Sequence, residues 1–425
     1  MGVDYDIVIV GAGAVGGTLA AAVAETGLKI ALVEAREPPP LDQAFNADAP
    51  LDLRVFAISR ASERILRGVG AWDAVASANR LCTYRGIQVW DAAGDGRIDF
   101  DAVDVGEPDL GHIVENRLLQ SALLKRIGDF SNVTTLWGRA CTGLTANRDS
   151  MSLKLDDGRE SRARLVVAAD GVGSRLRQWA GIDAPAQPYN QRAIVSHLTT
   201  EQGHEGVARQ AFLDNGVLAL LPLADGRSSL IWSTGNDHAD ELLALDDAEF
   251  NQAVSKATDY VLGAIIASDR RASFPLVRMH AERYVRPRFA LIGDAAHSVH
   301  PLAGQGVNLG LLDAAALAEM LSAAAARSRD VGELSLLRRY ERWRRAENAA
   351  MVWSLDGFQK LFGAADPIRA MGGWGLSMVN RCPPVKNAFI RRALGLEGDL
   401  PALAKAGNYF PSSRPSPPDQ VRGRF

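Results

Sequence analysis

Asp6-Ile7-Val8-Ile9-Val10 runs directly into Gly11-Ala12-Gly13-Ala14-Val15-Gly16. Four apolar residues without alternation read as a strand covered on both faces, as a parallel sheet requires. Each glycine that follows has its own reason. Gly11 permits a tight turn, Gly13 lets a diphosphate approach the backbone, and Gly16 lets a helix pack closely on the strand. That helix begins with Ala14 and Val15, and its unpaired N–H groups face the phosphates. Gly27 stops the helix, and Lys29 to Glu34 reads as a second strand, completing a βαβ opening. A carboxylate at Glu34 is placed to accept both ribose hydroxyl protons. It would repel a 2′-phosphate, which selects FAD or NAD over NADP.

The rest of the chain agrees with a cofactor-binding globular protein. Its 425 residues are 47% apolar and 23% charged, which excludes disordered, collagenous and coiled-coil classes. That length suggests two or three domains. A net charge of -3 argues against an electrostatic nucleic-acid binder. Cys82, Cys141 and Cys382 are scattered, with neither metal-ligand nor disulfide spacing, so a reducing cytoplasmic setting is expected. The apolar runs are short or interrupted, as by Asp313 and Glu319, and no span or signal peptide is expected. Charge is unevenly spread: from Leu336 onward, 15 Lys and Arg face 7 Asp and Glu. This basic end fits either a solvated helical face or an anionic membrane surface or acidic partner.

Further along, Glu37 to Pro50 reads as a loop, Arg60 to Val69 and Asn116 to Ile127 as helices, and Val133 to Val167 as a β-meander. Ala193 to Thr234 reads as antiparallel strands, Phe289 to Ile292 as a buried strand, and the stretch from about Val307 as a long helix. Two more strand ends carry motifs. One is Ala168-Ala-Asp170-Gly171-Val-Gly-Ser174-Arg175. The other runs Gly293-Asp294-Ala-Ala-His297-Ser-Val-His300-Pro301-Leu-Ala-Gly304-Gln305-Gly306-Val307-Asn308.

Three strand-end motifs in this order resemble the class A FAD-dependent aromatic hydroxylases of the para-hydroxybenzoate hydroxylase type. The stretches Leu53 to Ser62, Val89-Trp90-Asp91, Leu110 to Arg117, His300 to Asn308 and Pro383 to Pro401 narrow the resemblance to the polyprenylphenol ring hydroxylases of ubiquinone biosynthesis. One departure is Phe56, where the family leads one to expect a small residue. The resemblance implies an α/β fold: a Rossmann-like FAD-binding domain of glutathione-reductase type, an inserted antiparallel β-sheet substrate domain and a helical C-terminal region. The expected division gives 1–75, 110–182 and 280–355 to FAD and 76–109 and 183–279 to substrate. Residues 356–425 form the C-terminal region, with a loose Pro-rich end.

The same resemblance places Gly293-Asp294 at the FAD ribityl and Asp170-Gly171 at the diphosphate and nicotinamide donor. Arg54 falls at the diphosphate and Arg117 near the ribityl. It implies non-covalent FAD, NAD(P)H as a transient electron donor, O2, and hydroxylation of a polyprenylated phenol through a flavin C4a-hydroperoxide. Catalysis is expected around His300, Pro301, Gly304 and Gln305. Physically, Gly304-Gln305-Gly306 leads into a helix whose N–H groups, from Val307 and Asn308, can meet charge on reduced flavin.

His300 either helps ionise the phenol or hydrogen-bonds its own loop. His297 and His300 lack a third ligand beyond Asp294, so no metal is expected. Trp232 and Phe212 read as core or as pocket lining. A stripe of Leu355, Phe358, Leu361 and Phe362 fits core or a homo-oligomer interface better than a membrane anchor. Alternatives are a hydroxylase of a small soluble phenol and a flavin-containing, lipid-binding assembly factor. The expected place of action is the cytoplasm, at the membrane's inner face or in a ubiquinone-pathway complex.

Overall fold

The fold is described from a computed structural model covering residues 2–92, 94–300, 304–362, 375 and 377–406. Pro301 and the end beyond Phe410 lie outside the described residues, as do the side chains of the Leu355 to Phe362 stripe.

Tyr5–Val10 is the strand expected, and Ile7, Val8 and Ile9 are fully buried. It pairs in parallel with Ile30–Glu34 on one side and with Glu160–Ala168 on the other. Phe289–Leu291 adds in parallel to the outer edge of Glu160–Ala168, and Leu291 stands opposite Ala168. All three strand-end motifs therefore leave neighbouring strands at the same carboxyl edge. Ligands of open α/β sheets bind at that edge. Val133–Trp137 differs from the meander reading: it joins Ile30–Glu34 in parallel, and only the strands from Cys141 to Ala168 run antiparallel.

Two helices cover one face. Ala14–Ala24 is built of small residues, and Gly16 shows why: a Cβ there would stand 1.9 Å from the Gly11 carbonyl oxygen. Gln305–Ala325 packs against it, with Ala314, Ala315, Leu317 and Leu321 buried. By length and mean hydropathy alone this helix could cross a membrane, although Asp313 and Glu319 interrupt it. Its apolar residues lie in the protein core, and Asp313 sits among them.

A second sheet of nine strands builds the other half. Ala186–Thr200, Ser228–Gly235, Gly216–Pro222 and Val207–Leu213 form its antiparallel centre, and Gly86–Asp91 adds in parallel to Val207–Leu213. Helices Asn236–Ala244 and Asp247–Ala257 pack on it over Ile194, Leu230 and Trp232, the second through its own Phe250 and Val254. Trp232 thus belongs to this core. Two details differ from the expected division. Cys82–Tyr84 pairs with Gly111–Glu115 in a separate three-stranded sheet with Val55–Ile58. His297–Ser298, given to the FAD half, pairs with the substrate sheet at Met279 and His280.

Candidate active site

Val15 marks where the first and third motifs meet. A Cβ on Gly293 would lie 3.1 Å from Val15 Cγ1, and one on Gly310 2.5 Å from Val15 Cγ2. Gly293 has φ +59°, a left-handed conformation that favours glycine. The second motif joins through Gly11 (φ +105°), whose Cβ would strike the Ala169 carbonyl oxygen at 2.3 Å. Gly13 differs: nothing lies within 4 Å of its Cβ position, so the turn is open where a diphosphate would run.

Glu34 is held at its strand end. Its Oε2 accepts the Ala12 N–H at 2.9 Å and its Oε1 accepts the Arg36 N–H at 3.2 Å. Asp170 accepts the Leu176 N–H at 3.4 Å through Oδ2, while its Oδ1 is buried without a partner among the described residues. Burial raises the Asp170 and Asp294 carboxyls above the usual range; at Asp294, His297 and Arg54 pull the other way. Arg54 lies over the Phe56 ring, 5.2 Å from its centre. The unexpected Phe56 is therefore a platform for that guanidinium.

Arg117 turns to the protein: Nη2 donates to the Pro50 carbonyl at 2.7 Å, and Nε is buried without a partner. The loop it holds is fixed by a residue the sequence reading missed. Arg80 makes a paired contact with Glu115 (2.7 and 2.9 Å) and donates to the carbonyls of Asn46 and Ala49. Glu115 also accepts the Asp52 N–H at 2.6 Å, and Asp52 accepts the Arg117 N–H.

An open Gly13 turn, a carboxylate at Glu34, an orphaned Asp170 oxygen and an arginine electrostatically coupled to Asp294 fit FAD stretched along the carboxyl edge. Glu34 would hold the adenosine ribose, Gly13 to Gly16 the diphosphate, and Asp294 the ribityl.

At the flavin end, Gly304 caps the helix Gln305–Ala325 with φ +60°. A Cβ there would come to 3.0 Å from Ala57 Cβ. The helix presents its first-turn N–H groups, those of Gln305 to Val307, at this end. Asn308 is instead a brace: its Oδ1 accepts the Ser59 N–H (3.0 Å), and its Nδ2 donates to Ala57 and Gly304 carbonyls. Gln305 is buried, with Nε2 3.4 Å from the Ala393 carbonyl.

His300 is buried and sits 3.2 Å from Gln191 Oε1 and edge-on to Tyr189. Those partners come from a bulge in Ala186–Thr200, where Asn190 has φ +55°. Tyr189 and Gln191 also line a cavity of about 590 Å³, with Phe212, Asp214, Asn215, Val217, Asp237 and His238 among its walls. Phe212 and Val217 pack with Val89, Val299 and Met351. Phe212 is thus pocket lining, and the cavity lies beside the His300 loop.

His297 turns away from His300. Its Nε2 donates to Asp313 Oδ2 at 2.5 Å. Burial alone would raise the Asp313 carboxyl, but His297, Arg344 and Asn348 outweigh it and hold it at about 2. His112 likewise has structural partners, Thr83 and Glu63. The basic end shrinks on inspection: Arg344 is buried on Asp313, and Arg391 and Arg392 pair with Glu397 and Glu347.

Comparison with known proteins agrees with this geometry. Residues 4–354 match the family described as FAD binding domain. Ubiquinone hydroxylase UbiL of Rhodospirillum rubrum is 38% identical over 391 residues, 92% of this chain and 89% of that protein. The 3-demethoxyubiquinol 3-hydroxylase of Escherichia coli is 37% identical over 392 residues, 92% and 98% of the two chains. Among solved structures, p-nitrophenol 4-monooxygenase PnpA of Pseudomonas putida superposes with a TM-score of 0.74 at 17% identity, covering 93% and 99%. Klebsiella pneumoniae HpxO complexed with FAD and uric acid gives 0.70 at 19%, covering 90% and 96%. The structural matches bear on the fold, and the sequence matches on the family: the chain belongs to the FAD-dependent aromatic hydroxylases, with the ubiquinone hydroxylases as its relatives.

Proposed function

We propose that this chain uses NAD(P)H and O2 to hydroxylate the ring of a polyprenylated phenol in ubiquinone biosynthesis. Support comes from relatives named as ubiquinone-pathway hydroxylases across nine tenths of the chain. The observation that carries the reading is a cavity of about 590 Å³ against the His300 loop, where this reading puts the flavin end of the cofactor.

Bound FAD supplies the redox and oxygen chemistry, and the chain supplies position and field. Gly304 lets the helix start approach without a Cβ in the way, and the N–H groups of Gln305 to Val307 favour negative charge there. Phe212 and Val217 offer the ring an apolar wall. His300, oriented by Gln191 and Tyr189, is placed to take a phenolic proton, which makes the ring more electron-rich. The place of action we propose is the cytoplasm at a membrane face, reached through the basic residues that remain exposed.

A hydroxylase of a small soluble phenol has one observation in its favour: Asp214, Asn215, Asn236 and Asp237 make much of the cavity wall polar. One assay separates the two. FAD-loaded protein is mixed with NADH or NADPH, isotopically labelled O2, and either a short-chain prenylated phenol or its unprenylated counterpart. The expected result is label in the prenylated product only. Hydroxylation confined to the unprenylated phenol overturns the pathway reading, and no product from either refutes catalysis on phenols.

A further inference from the structure

Helix Leu334–Phe362 turns Tyr340, Arg344 and Asn348 inward, each four residues after the last and each buried. That spacing puts them on one face. Together they grip the segment that carries Gly293. Tyr340 Oη donates to the Leu291 carbonyl at 2.8 Å. Arg344 Nε and Asn348 Nδ2 both donate to Oδ1 of Asp313 at 2.9 Å. The other Asp313 oxygen accepts the Gly293 N–H at 3.1 Å and His297 Nε2. Four donors converge on one carboxylate that has no solvent exposure.

Such a cluster is a poor way to gain stability. Well-packed apolar residues of similar volume commonly do as well or better than a buried ion pair. It gives direction instead. Gly293 is held at φ +59° between the end of its strand and Asp294, and His297 is tied to the same oxygen.

We infer, on the FAD placement given above, that Asp313, clamped by Arg344 and Asn348, is the positioning residue that sets the Gly293-Asp294 turn for the flavin half of FAD. It acts through Gly293 and His297. An amide cannot replace it: one oxygen serves one pair of donors, and its NH2 group would face the other pair. Helix Leu334–Phe362 thereby becomes part of the cofactor site without reaching the cofactor edge of the sheet.

The test titrates FAD and ADP separately into apoprotein, with folding checked by circular dichroism. ADP should occupy only the end at Glu34. For Asp313→Asn, FAD dissociation is expected to rise more than about tenfold, roughly the loss of one buried charged hydrogen bond. Asn348→Ala should give a smaller rise, and Arg344→Lys should fall between Asn348→Ala and the native protein. ADP affinity should stay native in all three. The bound-flavin spectrum should shift in the same order. If Asp313→Asn fails to fold, the other two variants decide. Folded Asn348→Ala and Arg344→Lys with native FAD affinity and flavin spectrum overturn the inference, as does an equal loss of ADP and FAD. Glu34→Ala is the control for placement. If it weakens neither ligand, the FAD placement falls and the inference with it.

Discussion

Where the first motif leaves the carboxyl edge of the sheet, backbone meets backbone: Gly11 lies on Ala169 and Gly16 on the Gly11 carbonyl, with apolar strands beneath. At Gly293, two strands across the same sheet, the turn is held by an ionic cluster of Asp313, His297, Arg344 and Asn348. The first end needs close approach, which only the missing Cβ of glycine allows. The second must aim Asp294 and the His297–His300 loop, and directed hydrogen bonds on a carboxylate do that better than packing. On the FAD placement proposed above, the difference is that shape holds one part of the cofactor and oriented charge the other.

Substitutions at the first end should separate steric from ligand effects. The largest expected effect is Gly16→Val. Its Cβ would fall 1.9 Å from a backbone oxygen, and overpacking of this kind costs about 3 kcal/mol or more. Thermal unfolding should show a much lowered midpoint or no folded protein; a native midpoint would break the shape argument. Gly13→Ala sharpens it. Gly13 has φ -71° and open space at its Cβ position, so the midpoint should stay near native. FAD affinity should still fall about tenfold, because the methyl group occupies the diphosphate path. Unchanged FAD affinity would move the diphosphate elsewhere.

Gly304→Val tests the flavin end. It combines a left-handed φ of +60° with a 3.0 Å approach to Ala57 Cβ. Such strain costs about 1–3 kcal/mol, so folded protein should be recoverable. Hydroxylation per folded, FAD-loaded molecule should be lost, and wild-type turnover would place the ring away from Gly304.

The smallest effect concerns pH. Burial, with His297 and Arg345 adding to it, lowers His280 from 6.5 to about 4. Its Nε2 lies 3.0 Å from the Tyr284 hydroxyl. In the unfolded chain His280 takes a proton near pH 6.5, while in the folded chain it resists until about 4. Its contribution is therefore complete above pH 6.5 and is lost as pH falls towards 4. His280→Gln should show a shallower fall of the unfolding midpoint across that window; a parallel curve would remove His280 from the cluster's titration.

The motif-bearing strands were legible because their signals are local. Gly11, Gly13 and Gly16, the Asp170-Gly171 and Gly293-Asp294 turns and the apolar runs before them all state their geometry within a few residues. The ionic cluster was not legible, because Asp313, Arg344 and Asn348 are brought together by two helices. Counted as charge, Arg344 looks like part of a basic surface, and nothing local distinguishes it from Arg342. Gln191 and Tyr189 were missed because a bulge, not a periodic strand, turns them to His300. Helix Asp247–Ala257 did leave a signal: Asp246 and Glu249 make a reciprocal cap three residues apart.

The most direct test of one FAD spanning both ends uses two ligands on two variants. FAD and ADP are each titrated into native, Glu34→Ala and Asp294→Ala apoprotein by calorimetry. Glu34 should hold the ribose that both ligands carry, through hydrogen bonds worth about 1.5–3 kcal/mol each. Glu34→Ala is therefore predicted to weaken FAD and ADP alike, and Asp294→Ala to weaken FAD while leaving ADP at its native affinity. An Asp294→Ala protein that loses ADP as strongly as FAD, or a Glu34→Ala protein that keeps ADP unchanged, would contradict the account.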